Sequence, residues 1–227
     1  MKNSICIIPA RSGSKRIKNK NIIKFNNKPL IYWSIRAAIK SKCFEKIIVN
    51  SDSDQILKIV KKYNVEIFKR PKKLSLDKTP ILDVIRHQLK LINKKNYKVC
   101  CMLPSSPLIN YKDLIKSQKM LNKNVKFVFP ITNFSYPIDR ALTKNNMNLI
   151  KFRNDNSPFT NTQNFKTFYH DAGQFYWGLA KDFLKFKNIF DSKKVKGYFI
   201  PNYRVRDIDH ISDLKLAKNI FESFFVK

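Results

Sequence analysis

Residues 4–21 read SICIIPARSGSKRIKNKN. Ser4 to Pro9 is an apolar run of strand length with little polar alternation. Such a run suits a strand of a parallel sheet covered on both faces. Arg11 to Asn21 then sets Arg11, Lys15, Arg16, Lys18 and Lys20 around a Ser12-Gly13-Ser14 turn. A phosphate chain needs exposed backbone N–H groups and several cations. Glycine lets the backbone approach closely, and serine adds hydroxyl donors. The stretch holds no GxxxxGK[ST] and no GxGxxG, so it is neither a Walker loop nor a dinucleotide fingerprint. Its place after the first strand of an α/β sheet favours a phosphate site at the ligand edge. The plain alternative is a solvated basic loop.

Outward from this stretch, strand and helix signals alternate. Pro29 opens a helical pattern carrying Ile31, Ile35, Ala38 and Ile39. Lys46 to Asn50 (KIIVN) reads as a second strand, and Ser53 can cap a helix with Ile56, Ile59 and Val60. Val65 to Phe68 reads as a third strand, Thr79 to Leu91 as a helix, and Lys98 to Leu103 (KVCCML) as a fourth strand. Asp113 to Leu121 reads as a helix and Lys126 to Ile131 as a fifth strand. This order predicts an α/β fold with a mostly parallel sheet and right-handed crossovers. Between Asn133 and Tyr169 the periodicity breaks. Phe134, Tyr136, Phe152, Phe159, Phe165 and Phe168 need burial there, and a partner subunit is one place for it. Gly173 to Gly178 and Gly197 to Ile200 read as further strands, and Leu214, Ala217, Phe221 and Phe224 as a closing helix. No linker divides the chain, so residues 1–227 read as a single domain.

Composition narrows the function. With 43% hydrophobic and 13% aromatic residues, the chain is no disordered polyelectrolyte. No apolar run approaches the ~20 residues of a membrane span. The first residues lack the apolar stretch and cleavage site of a secretory signal. Cys6, Cys43, Cys100 and Cys101 form no CxxC pair and no zinc spacing. Adjacent Cys100 and Cys101 should point to opposite faces of one strand. Buried thiols in a reducing cytoplasm are the expectation. The net charge of +30 comes from 46 Lys+Arg against 16 Asp+Glu. Lysine is dispersed and accompanied by many Asn, Ile and Phe, as AT-rich codons would produce. Compositional drift therefore ranks first, an anionic substrate second and nucleic-acid binding third.

Three further motifs carry chemistry. Arg206-Asp207-Ile208-Asp209 spaces two carboxylates i, i+2 on one side of an extended segment. In a chain poor in acids such a pair suits Mg2+; the alternative is two surface acids, with Asp209 capping the next helix. Tyr169 to Gly178 (YHDAGQFYWG) offers donors and stacking surfaces of the kind sugar sites use, or else core aromatics. Pro104-Ser105-Ser106-Pro107 makes a rigid turn at the edge that also bears the basic loop.

Taken together, these residues resemble the acylneuraminate cytidylyltransferases, the CMP-sialic acid synthetases. IIPARSGSKRIKNKN, KCFEKIIVNSD, FKRP, PSSP and RDID carry the likeness along most of the chain. FSYPIDRAL, YHDAGQFYWG and YRVRDID are similar to the branch that handles pseudaminic acid. The resemblance implies a Rossmann-like nucleotidyltransferase fold with a small dimerisation arm over 133–169, and a homodimer. It implies activation of a nine-carbon acidic sugar by CTP with Mg2+, giving the CMP-sugar and pyrophosphate. Legionaminic and N-acetylneuraminic acids are the alternative sugars, and a basic nucleic-acid-binding protein is the rival from another class. Carried over, Arg11, Ser14, Lys15, Lys20, Asn21 and Arg70 would bind the nucleotide. Asp207 and Asp209 would hold the metal, and Gln174, Tyr176 and Phe190 would line the sugar pocket. Arg11, Lys20 and Asp209 would carry catalysis. No membrane and no specific nucleic acid are implied.

The pattern has departures. Ser12 replaces a common glycine, which stiffens the loop, and Lys18 stands where this branch usually has proline. Leu103 stands where sialic acid synthetases carry a sugar-holding glutamine, which argues against ordinary sialic acid. Ile81 sits near a position that is often hydroxylic.

Overall fold

The structure is a computed structural model that describes residues 3–153 and 161–225. β1 (Ser4–Pro9) leads through the basic loop to a short ribbon, β2 (Lys24–Phe25) and β3 (Lys28–Pro29), and to α1 (Leu30–Ser41). The alternation continues through β4 (Lys46–Ser51), α2 (Asp54–Val60), β5 (Glu66–Lys69) and α3 (Ile81–Ile92). It runs on through β6 (Lys98–Met102), α4 (Tyr111–Gln118) and β7 (Phe127–Asn133). A hairpin of β8 (Leu142–Lys144) and β9 (Ile150–Phe152) then leaves the sheet. β10 (Tyr169–Asp171), β11 (Phe175–Leu179), α5 (Ala180–Lys185), β12 (Val195–Phe199) and α6 (Ile211–Phe225) follow.

β1 is buried at every position. It pairs in parallel with β4 on one side and β6 on the other, and β5 extends the sheet beyond β4. Alternate β1 side chains feed two cores, as the strand's period of two demands. Cys6 and Ile8 pack with Ile31 and Ile35 of α1, Ile56 of α2 and Leu114 of α4. Ile5 and Ile7 pack with Ile85 and Leu89 of α3 and Phe183 of α5. Cys100 belongs to the first core and Cys101 to the second, so the two thiols do face opposite ways. Helices on both faces explain why these strands read as continuous apolar runs.

The sequence carried no orientation for the later strands. β11 lies between β6 and β7 and runs antiparallel to both. β10 is antiparallel to the far end of β7, and β12 is parallel to β7. A parallel return requires a crossover of a dozen or more residues, usually a helix. The chain enters β10 from the 134–168 excursion, in which the described residues form no α-helix that could serve as such a crossover, and it runs back along β7.

Element bounds moved for local reasons. The third long helix begins at Ile81, not Thr79, because the residue before Pro80 is pushed out of the helical region. α4 begins at Tyr111, before the expected Asp113, because the Asn110 side chain accepts from the Lys112 amide and caps it. Within the 133–169 stretch, residues 154–160, including Phe159, lie outside the described residues. Around them Tyr136, Met147, Leu149 and Ile150 are exposed. Among the described residues no helix is long and apolar enough to cross a membrane.

Candidate active site

The C-terminal ends of β1, β5 and β6 open onto one cleft of about 440 Å³. Successive strands lie on opposite sides of β1, so this is the crevice where open α/β sheets bind ligands. Arg11, Ser14, Lys15, Lys20, Asn21 and Arg70 all line it, together with Asp209, Pro104 and Ser105. The structure thus brings every nucleotide candidate to one place, and the PSSP turn to the same edge.

The basic loop is held at three points. Ser12 donates its amide and hydroxyl to the two oxygens of Asp52, at 2.9 and 2.6 Å. Burial pushes Asp52 up, but these hydrogen bonds outweigh it and leave the carboxyl below its ordinary value. Ser12 therefore anchors the turn. Asn21 Nδ2 donates to the Arg11 carbonyl at 2.9 Å, leaving Asn21 Oδ1 buried without a partner. An unpaired buried acceptor on a cleft wall invites a ligand donor. The third point is Ile17, the apolar residue within the run of cations, buried beside Ile208 and α6. Ile208 stands between Asp207 and Asp209, so an apolar contact joins the basic loop to the aspartate pair. Lys20 Nζ reinforces it with a 2.7 Å hydrogen bond to the Ile208 carbonyl.

The loop cations are paired with two carboxylates. Arg11 and Lys15 both meet Asp77, Lys15 at 2.5 Å. Arg16 and Lys20 meet Asp209 at 2.7 and 3.3 Å. The Asp77 carboxyl is held below its ordinary value by Lys15 and Arg11. Five cations and two carboxylates line the cleft, so three positive charges are left uncompensated. Exposed pairs contribute little and exchange readily, so a polyphosphate can displace Asp77.

Arg70 is built differently. It is buried, and its Nε and Nη2 donate to the Asn50 side chain at 2.6 Å and carbonyl at 2.9 Å. Asn50 Nδ2 in turn donates to Gln88 Oε1 of α3 at 2.9 Å. Burial pushes the guanidinium pKa down, and Asp52 opposes that shift. A buried, hydrogen-bonded fork fixes one cation in position while the loop lysines stay adaptable.

Asp209 uses its carboxylate on Arg16 and Lys20; Asp213 accepts the Asp209 and His210 amides at the start of α6. Asp207 is pushed above its ordinary value by burial and then by Asp209, with Lys20 and Arg16 opposing. Two oxygen-donor groups in mutual repulsion beside a cationic wall fit Mg2+, which takes one or two carboxylates and completes its shell with other oxygen donors and water. Among the described residues no group of three or more His, Cys, Asp or Glu could form a metal cage.

A second cleft of about 320 Å³ adjoins the first, and Ile81 lines both. Tyr176 and Phe190 line it with Asp171, Phe183 and Ile189. The Tyr176 hydroxyl donates to Asp171 Oδ2 at 2.6 Å. Burial raises the Tyr176 pKa, Asp171 adds to this, and the charge of Asp207 reaches the same hydroxyl. Gln174 lines neither cleft. It is buried, with Nε2 donating to the Arg204 carbonyl at 2.7 Å, and its own carbonyl accepts from Leu103. Arg204 also pairs with buried Asp113, so Gln174 and Asp113 together tie down the segment that leads to the aspartates.

The sequence reading passed over Asp52, Asp77, Asn50 and Gln88 as site residues. Asp52 had a signal, an acid just past a parallel strand, and Asp77 had another, a lone acid among lysines. Asn50 and Gln88 had none.

A cytidylyltransferase family model matches residues 5–222. A pseudaminic acid cytidylyltransferase of Campylobacter jejuni is 38% identical over 98% of this chain and 97% of its own length. An N-acylneuraminate cytidylyltransferase of Escherichia coli is 30% identical over 95% of this chain and 51% of its own. Among solved structures, the CMP:2-keto-3-deoxy-manno-octonic acid synthetase complexed with CTP superposes with a TM-score of 0.71 at 12% identity. That match covers 97% of this chain and 98% of the other.

Proposed function

The chain belongs to the cytidylyltransferase family, and from that premise we propose that it activates pseudaminic acid with CTP. The products are the CMP-linked sugar and pyrophosphate. The observation that carries this reading is the pair of adjoining clefts, one cationic and one largely apolar, meeting at Ile81. The relative from C. jejuni, similar over nearly its whole length, supports the choice of sugar.

The sugar's anomeric oxygen forms a bond to the α-phosphorus as its proton is released to solvent, and the bond to pyrophosphate breaks in line. Arg11, Lys15 and Lys20 leave their carboxylate partners and neutralise charge on the β- and γ-phosphates. Arg70, held rigid by Asn50, orients the nucleotide, and Asn21 Oδ1 accepts from it. Asp207 and Asp209 would hold Mg2+, which when bound would offset phosphate charge. Tyr176 and Phe190 enclose the sugar. Catalysis is mainly positioning and electrostatic stabilisation. The exposed apolar side chains of the 133–169 excursion support a role as a dimerisation arm in a homodimer. Free cysteines support a cytoplasmic protein.

The test is pyrophosphate release from CTP and Mg2+ with pseudaminic, legionaminic and N-acetylneuraminic acids in parallel. The expected result is release with pseudaminic acid far above the others. A preference for another sugar would correct the acceptor alone, and no release with any of them would overturn the reading.

A further inference from the structure

Residues 71–79 lead from the buried Arg70 towards α3 and give Leu74, Leu76, Asp77 and Thr79 to the cationic cleft. Both ends of this stretch are fixed. The Arg70 amide donates to the Ser51 carbonyl at 2.8 Å, and α3 buries Val84 and Ile85. Between them no residue is buried. The backbone hydrogen bonds of the stretch stay inside it, from Leu74 to Pro71, Ser75 to Lys72 and Thr79 to Leu76. Among the described residues, its polar ties to the rest of the chain are the two that Asp77 makes, to Arg11 and, at 2.5 Å, to Lys15. A segment with no buried side chain and only local hydrogen bonds opens at low cost. It is a strap anchored at its ends and pinned in the middle by one carboxylate.

Arg11 and Lys15 are also cations assigned above to the β- and γ-phosphates. Among the described residues neither side chain has another hydrogen-bond or ion-pair partner. Pinning the strap and holding a phosphate chain therefore draw on the same two groups, and each weakens the other to the same extent. The remaining cations escape this competition. Arg16 and Lys20 pair with Asp209, and Arg70 is committed to Asn50. The penalty thus falls on ligands that reach Arg11 and Lys15, which are CTP and pyrophosphate.

We infer that Asp77 is a built-in competitor of the phosphate chain: it pins the 71–79 strap to Arg11 and Lys15 in the free protein, a polyphosphate that takes these cations frees the strap, and the return of Asp77 helps to expel pyrophosphate. The inference rests on the reading of this cleft as the nucleotide site. It adds what limits the hold of that site on polyphosphate.

The experiment measures the Kd of inorganic tripolyphosphate and of pyrophosphate for the full chain by calorimetry, with melting temperature as the control for folding. Asp77→Asn should tighten both roughly three- to thirtyfold, the range for two exposed ion pairs that need no longer be broken. Asp54→Asn removes the same charge outside the cleft, where Asp54 pairs with Lys69, and should leave both within about twofold. Trypsin reads the pin independently, because Lys73 and Lys78 are exposed on the strap. Cleavage after these lysines should be faster in Asp77→Asn. It should also be faster when tripolyphosphate is added to the wild type, a readout that needs no variant and is opposite in sign to protection by a bound ligand. Unchanged or weaker binding in Asp77→Asn, equal tightening in Asp54→Asn, or cleavage that tripolyphosphate does not speed overturns the competition and leaves the function standing. Wild-type protein that binds neither polyphosphate overturns the reading of the cleft as well.

Discussion

The parallel and antiparallel halves of the sheet contribute to the site by different means. On the parallel side the cationic wall comes mostly from one contiguous loop after β1, held by ion pairs, two hydrogen-bond anchors and the buried Ile17. On the antiparallel side the wall of the second cleft is assembled from α3, β10, β11 and the turn at Phe190, and is held by packing and by the Tyr176–Asp171 hydrogen bond. The lesson is about exchange. Exposed ion pairs are individually weak, so the cationic side can trade Asp77 for another anion. The apolar side keeps its shape and can select.

The largest effect should come from the joint between the two halves. Asp209→Asn should lower CTP-dependent turnover by roughly a thousandfold, about 4 kcal/mol, if it holds Mg2+ against the phosphates. The melting temperature should barely change. Turnover near wild type would remove Asp209 from the metal role and make the halves chemically independent.

A smaller effect concerns how the loop is held. Ile17→Ala removes a buried side chain that packs with Ile208, Leu214 and Phe221. The expected loss is about 2–4 kcal/mol of stability, together with a higher KM for CTP. Denaturant titration and kinetics read the two separately. A loss of stability with unchanged CTP affinity would show that the ion pairs alone shape the loop.

The smallest effect is electrostatic. Asp207 has a raised pKa, so the native state holds its proton more tightly than the unfolded chain does. Stability on this account is full below the unfolded carboxylate value, falls as pH rises through the raised one, and stays lower above it. Asp207→Asn should therefore raise the melting temperature at pH 7, with the gain vanishing below about pH 4. The gain should be under about 1 kcal/mol because Lys20 and Arg16 oppose the shift. Millimolar Mg2+ should stabilise the wild type more than this variant. A melting temperature unmoved at both pH values would mean that Lys20 and Arg16 already cancel the repulsion.

Much of the first half could be read directly. Apolar runs at KIIVN and KVCCM, the Ser53 cap and Pro29 mark elements through local chemistry, and each stands where its signal lies. The second half resisted because β8, β9 and β10 are three residues each and mostly exposed, so they leave no period to detect. The bulge before β11 likewise shows in the chain only as Gly173. Gln174 reads as a polar lining residue in sequence, yet it turns inward to hold the Arg204 carbonyl.

The residues alone determined an α/β chain with a cationic loop after its first strand and an aspartate pair near its end, because these depend on contiguous residue types and their spacing. The fold decided which groups meet: Ile17 with Ile208, Arg70 with Asn50 and Gln88, Asp171 with Tyr176. Contacts such as Ile17 with Ile208 join segments far apart in the chain, and no local pattern encodes them. They exist because the two faces of the sheet and the return of α6 leave one low-energy way to bury these apolar side chains and pair the polar groups between them.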